Sequence, residues 1–197
     1  LVIQTIRTFH IVQSGETLSD VAGHYGISLR ALYRNNYWLQ GNSAIQPGQM
    51  LVIDYAEEKL GETSTNGYAY PFIRREALRA TLPYMTYLTP FTYGINQQGG
   101  LLPLNDGMLL EEAGRMGTAA LMHLSSLTEE DTFSSQRAAE LLADQAQQAA
   151  LIREITATLE AKGYRGLDVD FEFIPGERRE DYIRFSQALR RQLAPLG

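Results

Sequence analysis

The stretch Tyr164-Arg165-Gly166-Leu167-Asp168-Val169-Asp170-Phe171-Glu172-Phe173 alternates acids with apolar residues. A period of two is the signature of a strand, here read over Arg165 to Ile174. It puts Asp168, Asp170 and Glu172 on one face and Leu167, Val169, Phe171 and Phe173 on the other, where they fit packing beneath helices. Successive acids on such a face stand about 7 Å apart. Ionised together they repel, and burial strips their solvation. Both effects favour a shared proton, which a general acid needs. Two blander readings fit the same residues: a solvated acidic face on an edge strand, and a Mg²⁺ or Ca²⁺ site. Position favours catalysis, because sites in parallel α/β folds lie at the C-terminal ends of strands, and Glu172 sits near this one.

Outward from this strand, elements alternate. Upstream, Gly67 to Phe72 is apolar and aromatic, and Tyr84 to Ile95 is a second strand-like run. Asn96-Gln97-Gln98-Gly99-Gly100 is a hairpin-type turn with Leu101-Leu102 as its return. Asn105-Asp106 can cap a helix over Gly107 to Met116, and Thr118 to Leu124 is a third strand. Phe133 to Lys162 reads as one long helix ended by Gly163, and its Ala/Gln-rich part from Ser135 to Ala150 reads as an outer helix packed on the strands rather than a partner-binding one. Downstream, Asp181 to Leu193 is helical, with Tyr182, Phe185 and Leu189 on one face. Such alternation implies parallel strands with helices packed outside them.

The polar, turn-rich segment over residues 55–66 reads as a linker. Before it, Phe9-His10-Ile11-Val12 is a short strand. Thr17 is the N-cap of a helix over Leu18 to Tyr25 that Gly26 stops, with Asp20 at its third position. Ser28 caps a second helix carrying Leu29, Leu32 and Tyr33; Asn35-Asn36 loosens the chain, Pro47-Gly48 turns it, and Met50 to Ile53 is the closing strand. Strand, helix, helix, strand in about 45 residues is near the lower size limit for a fold without disulfides or metal. The triplet Leu1-Val2-Ile3 recurs as Leu51-Val52-Ile53, which suggests that residues 1–8 end a preceding copy of the same module.

Composition sets the outer bounds. The chain has 197 residues, 44% apolar and 20% charged, in the range of globular proteins. A net charge of −6 without a dense basic patch argues against nucleic acid. The absence of cysteine excludes disulfides, thiolate metal sites and Cys nucleophiles. No apolar run reaches the length of about 18 residues that spans a membrane. His10, His24 and His123 show no ligand spacing; the first two read as surface or packing residues, and His123 has a minor prospect of lining a sugar site.

Two resemblances add to this reading. Gly166-Leu167-Asp168-Val169-Asp170-Phe171-Glu172 resembles the fourth-strand signature of family 18 glycoside hydrolases, the chitinase-like barrels, whose pattern is Asp-Gly-x-Asp-x-Asp-x-Glu. The last three acids match, and Arg165 stands where the pattern has its first Asp. Tyr84 to Tyr93, with Gly99-Gly100-Leu101, resembles the second-strand region of the spore-cortex branch of that family. Residues 9–54 resemble a LysM domain, through Ile11 to Leu18, Ala22, Leu32 with Asn35, and Ile45 to Leu51.

The first resemblance implies an α/β fold, a (β/α)8 TIM-type barrel of which residues 67–197 supply about the first four units. It also implies substrate-assisted, retaining hydrolysis of a β-linked N-acetylhexosamine. Glu172 would protonate the glycosidic oxygen, the substrate acetamide would attack the anomeric carbon, Asp170 would orient that acetamide, and Asp168 would stand behind it. Tyr68 and Phe91 would line the sugar site, with packing the plainer role for Phe91. The LysM resemblance implies binding of peptidoglycan or another N-acetylglucosamine-containing glycan in a groove between Gly15-Glu16-Thr17-Leu18 and Ile45-Gln46-Pro47-Gly48. Turn chemistry alone also accounts for Gly15, Pro47 and Gly48, and Trp38 reads either as a sugar-stacking or as a packing residue. The expected whole is a cell-wall, spore or extracellular bacterial hydrolase without cofactor or metal, its oligomeric state open. The chain read here is expected to be inactive alone, because its barrel stops near halfway. The alternative is a non-catalytic wall-binding protein with a degenerate barrel.

Overall fold

The computed structural model describes residues 4–56 and 61–196. The Leu1-Val2-Ile3 triplet and part of the expected linker lie outside the described residues. Contacts divide the chain into two compact units. One takes the residues up to Gly67 with Phe72–Leu88 and Glu111–Ala119; the other takes Tyr68–Pro71, Thr89–Leu110 and the residues from Ala120 onward.

The first unit begins with β1 (Ile6–Ile11), α1 (Leu18–Tyr25), α2 (Leu29–Asn35) and β2 (Met50–Tyr55), with β1 and β2 antiparallel. The local signals act as the sequence suggests. Thr17 accepts from the Asp20 N–H while the Asp20 carboxylate accepts from the Thr17 N–H, a complete capping box. Gly26 ends α1 at φ 64°, a left-handed conformation that costs a residue without Cβ little. Ser28 accepts from the Ala31 N–H at the start of α2. Val12, Leu18, Val21, Leu32, Leu51 and Val52 form the buried interior. Asn36, read from the sequence as a loosening residue, is instead fully buried. Its amide donates to the Leu32 and Val52 carbonyls and accepts from the Val52 N–H, so it pins the end of α2 to β2. The same unit holds α3 (Arg75–Thr81), a helix to which the sequence reading assigned no element.

Next come β3 (Asn66–Ala69), β4 (Tyr87–Pro90), β5 (Gly94–Ile95) and β6 (Leu101–Leu102), followed by α4 (Gly107–Met116) and β7 (Ala119–Ala120). Strands β3, β4 and β7 pair in that order, and β5 and β6 form the expected hairpin. The expected continuous strand over Tyr84 to Ile95 is interrupted. Leu82–Tyr84 forms a 3-10 turn, and a cis peptide joins Phe91 to Thr92 between β4 and β5.

In the second unit, β8 (Met122–Ser125) pairs in parallel with β9 (Leu167–Asp170), and Tyr93 bridges to Leu124 on the other side of β8. The helices α5 (Ser135–Ala143), α6 (Gln145–Lys162) and α7 (Arg179–Leu193) accompany these strands. The expected single helix from Phe133 to Lys162 is two. Asp144 takes an extended backbone, and its carboxylate accepts from the Ala146 and Gln147 N–H groups, so it caps α6 instead of continuing α5. The core joins Tyr93, Met122, Leu124, Leu151, Ile155, Phe171, Phe185 and Leu189. Among the described residues β9 pairs with β8 alone. Residues of β9 and α7 line a cavity of about 330 Å³, among them Leu167, Val169, Leu189 and Leu193.

Candidate active site

Strand β9 ends at Asp170, earlier than expected, because its partner β8 ends at Ser125, directly opposite. Asp168 and Asp170 therefore lie within the paired strand, and Glu172 lies beyond it, exposed. Phe171 is buried, but Phe173, expected beside it, is 87% exposed. A φ of 54° at Phe173 turns the chain and breaks the alternation there.

The two strand acids meet groups from two other strands, β3 and β8. The Tyr68 hydroxyl donates to Asp168 at 2.7 Å. That bond, strengthened by desolvation, pushes the Tyr68 phenol up to about 12, so it stays a donor at any physiological pH. His123, on β8 opposite Asp168, is 1% exposed; its Nε2 lies 3.6 Å from Asp170 and 3.8 Å from Asp168. Burial pushes its imidazole below the usual histidine range, against the opposing pull of Asp168 and Asp170. Phe91 stacks on the His123 ring with centroids 4.9 Å apart, and Tyr68 meets that ring edge-on at 5.4 Å. Tyr70 and Phe133 each approach Phe91, and both are more than half exposed. An aromatic surface therefore flanks the acids.

The segment bearing Phe91 is anchored at Tyr93. Asp106, expected to cap α4, is buried, and its carboxylate takes the hydroxyls of Tyr93 and Tyr164, each at 2.5 Å, and Lys162 Nζ at 2.7 Å. Burial works against this carboxylate, yet the bonds from Lys162, Tyr164 and Tyr93 hold it below the usual range. Burial, then the bond to Asp106, pushes the Tyr164 phenol far up.

Of the sequence-named residues, the structure brings Asp168, Asp170, Tyr68 and Phe91 into one cluster, with Glu172 beyond it at the exposed end. Sequence reasoning underrated His123 and missed Thr92, whose hydroxyl lies 2.6 Å from His123 Nδ1. An Asp-x-Asp strand beside a strand bearing a His was the only available signal, because strand order is not visible in a sequence.

The other named residues lie in the first unit. Gly15, Thr17, Gln46, Pro47 and Gly48 are exposed, Glu16 and Ile45 are half-buried, and Leu18 is buried as core, so its side chain is closed to a ligand. The two loops adjoin through reciprocal backbone bonds, Gly48 N–H to the Val12 carbonyl and Val12 N–H to the Gln49 carbonyl. Glu16 accepts from the Gln13 N–H and pairs with His10 at 2.8 Å, which stiffens the first loop. Trp38 is partly exposed and packs edge-on against Tyr37.

Comparison with known proteins defines the class of each part. Residues 10–54 match the LysM domain, so the chain carries a LysM domain on its N-terminal side, followed by an α/β segment. That segment has the fold of a chitinase from Chromobacterium violaceum ATCC 12472 (TM-score 0.58, 20% identity, covering 68% of this chain and 44% of the chitinase). Over nearly its whole length the chain is similar to the spore cortex-lytic enzyme SleL of Bacillus megaterium QM B1551: 26% identity, TM-score 0.62, 95% of this chain and 44% of that enzyme. It is also 30% identical, over 118 residues, to the cortical fragment-lytic enzyme of Bacillus subtilis (strain 168), which covers 59% of this chain and 27% of the enzyme. The chain thus spans less than half the length of each of these relatives.

Proposed function

We propose that the protein is a cell-wall glycoside hydrolase that cleaves a β-linked N-acetylhexosamine in peptidoglycan, with spore cortex as the favoured substrate. The observation that carries this reading is the cluster on β9: Asp168 bonded by the Tyr68 hydroxyl, Asp168 and Asp170 both facing His123, and a third carboxylate, Glu172, exposed beyond the strand end. A proton donor must reach the glycosidic oxygen, so its exposure fits the role, while acids that steer an acetamide gain from fixed hydrogen bonds. Glu172 protonates the leaving oxygen, the substrate acetamide closes on the anomeric carbon, and Asp170 backed by Asp168 orients and stabilises that acetamide. Tyr68 and Phe91 flank the sugar. The similarity to enzymes named for spore cortex supports the substrate.

The same reading divides the chain into a wall-targeting LysM module, with β1 from Ile6 and β2 up to Tyr55 as its paired strands, a linker after it, and the first part of a TIM-type barrel over residues 67–197. Among the described residues β9 pairs with β8 alone, and an edge left open in this way suits the addition of a further strand–helix unit. The site of action is the wall or the spore. The test is hydrolysis of purified cortex fragments by the full-length protein and its Glu172→Gln variant. The variant is expected to lose about 10²-fold or more in rate. Equal release of reducing ends by both removes Glu172 as the acid, whereas no release by either leaves a wall-binding protein as the better reading.

A further inference from the structure

His123 is closed to solvent, so it cannot touch a sugar, yet its ring is held from three sides. Phe91 stacks on one face, Tyr68 closes an edge, and Thr92 Oγ1 sits 2.6 Å from Nδ1. The remaining polar position, Nε2, is directed at Asp170 and Asp168, 3.6 and 3.8 Å away. We infer that His123 is a positioning residue for the proposed hydrolysis, presenting an Nε2–H to the Asp170 carboxylate and fixing the orientation in which that carboxylate meets the substrate.

The proton assignment follows from the neighbours. An unprotonated Nε2 would aim its lone pair at two carboxylates, an arrangement that repels. With the proton on Nε2, Nδ1 is the acceptor. The Thr92 hydroxyl, 2.6 Å away, then turns its one proton to Nδ1 rather than to Ser125 Oγ at 3.0 Å or to the Tyr93 carbonyl at 2.9 Å, which keeps the Ser125 N–H. The separation from Asp170 exceeds the span of about 2.7–3.2 Å of an N–H···O hydrogen bond. A small rotation of Asp170, whose side chain is 44% exposed, completes the bond while the buried imidazole keeps its stack on Phe91. Asp168 already takes the Tyr68 hydroxyl. Each acid then has its own donor, Tyr68 for Asp168 and His123 for Asp170.

This inference rests on the glycosidase reading, so two readouts separate their failures. In the full-length protein acting on purified cortex fragments, His123→Phe keeps the ring stack but removes both nitrogens, whereas His123→Gln returns an amide N–H near the place of Nε2. The expected result for His123→Phe is a fall in kcat of about tenfold or more, as misplacing a catalytic group entails, with KM within about twofold. His123→Gln recovers a several-fold part of that loss. A packing role predicts the reverse order, and a His123→Phe variant as active as His123→Gln overturns the inference. The second readout needs neither turnover nor a His123 variant. By NMR, the Cε1–H signal of His123 titrates in the unmutated protein and in Asp170→Asn, and its midpoint moves to lower pH when the facing charge is removed. An unmoved midpoint overturns the contact. Absence of hydrolysis by the unmutated protein overturns the glycosidase reading, and the NMR titration then still decides the His123–Asp170 contact.

Discussion

Glu112 illustrates how one residue can commit a helix. Its side chain is fully buried, yet three guanidinium groups reach it: Arg75 at 2.9 Å, Arg79 at 2.8 Å in a two-pronged bond, and Arg115 at 2.9 Å. The Arg79 bond, aided by the charges of all three arginines, holds the Glu112 carboxyl below its ordinary 4.5 despite burial. Because the folded value is the lower one, the unfolded chain takes up the proton first as pH falls. The stabilisation is therefore complete above 4.5 and fades as pH drops through the folded value. Glu112→Gln, which leaves three cations around a neutral side chain, is expected to cost about 3 kcal/mol at pH 7. It should also flatten the acid limb of a denaturant-midpoint profile below pH 4.5; a midpoint unchanged at pH 7 refutes the assignment. None of this was legible in the sequence. Two of the three partners, Arg75 and Arg79, stand 37 and 33 positions away on α3, an element the sequence reading did not assign. By contrast, Asp168 and Asp170 were legible because strand alternation is local, and the Thr17–Asp20 box because a cap bonds only three residues away.

Among the elements, errors in the sequence reading came where a polar side chain outcompeted the helix or strand pattern around it. The run from Phe133 to Lys162 has the composition of one helix, and its Ala, Leu, Gln and Glu content favours helix throughout. Asp144 interrupts it by taking two N–H groups of the following turn, which a mid-helix Asp could not reach. Asp144→Ala removes that cap and is expected to cost about 1 kcal/mol. The loss should appear as faster amide exchange at Ala146 and Gln147, with the interior of α6 unchanged. Uniform protection across Asp144 in the variant would instead mean that the two helices had fused. The early end of β9 has a different cause. Strand pairing is set by a partner 45 positions upstream, so alternation that continues to Phe173 cannot reveal that β8 stops at Ser125. The shortened strand leaves Glu172 beyond the ladder and exposed, where the proposed chemistry needs it.

At the scale of the whole chain, the proposed duties fall on separate compact units: the glycan groove within residues up to Gly67, and the acids within the unit that includes Thr89–Leu110 and the residues from Ala120 onward. A targeting module raises the local concentration of its polymer without entering the chemistry, so its loss should weaken retention on solid substrate and spare turnover of soluble substrate. Gln46 offers a clean probe. It is exposed, and its backbone makes the bonds at this position: the N–H donates to Gln49 Oε1 and the carbonyl accepts from the Gln49 N–H, so a bulky replacement need not unfold the turn. Gln46→Trp would fill the space between the Gly15–Leu18 and Ile45–Gly48 loops. The expected outcome is a fall of about tenfold in retention on insoluble peptidoglycan, equivalent to about 1.4 kcal/mol. The rate on soluble cortex fragments should stay within about twofold. Undiminished retention would move the binding surface away from this groove, with the exposed Tyr37–Trp38 pair as the next candidate. A matching loss on soluble fragments would instead mean that the groove takes part in turnover, and the division of labour between the units would fail.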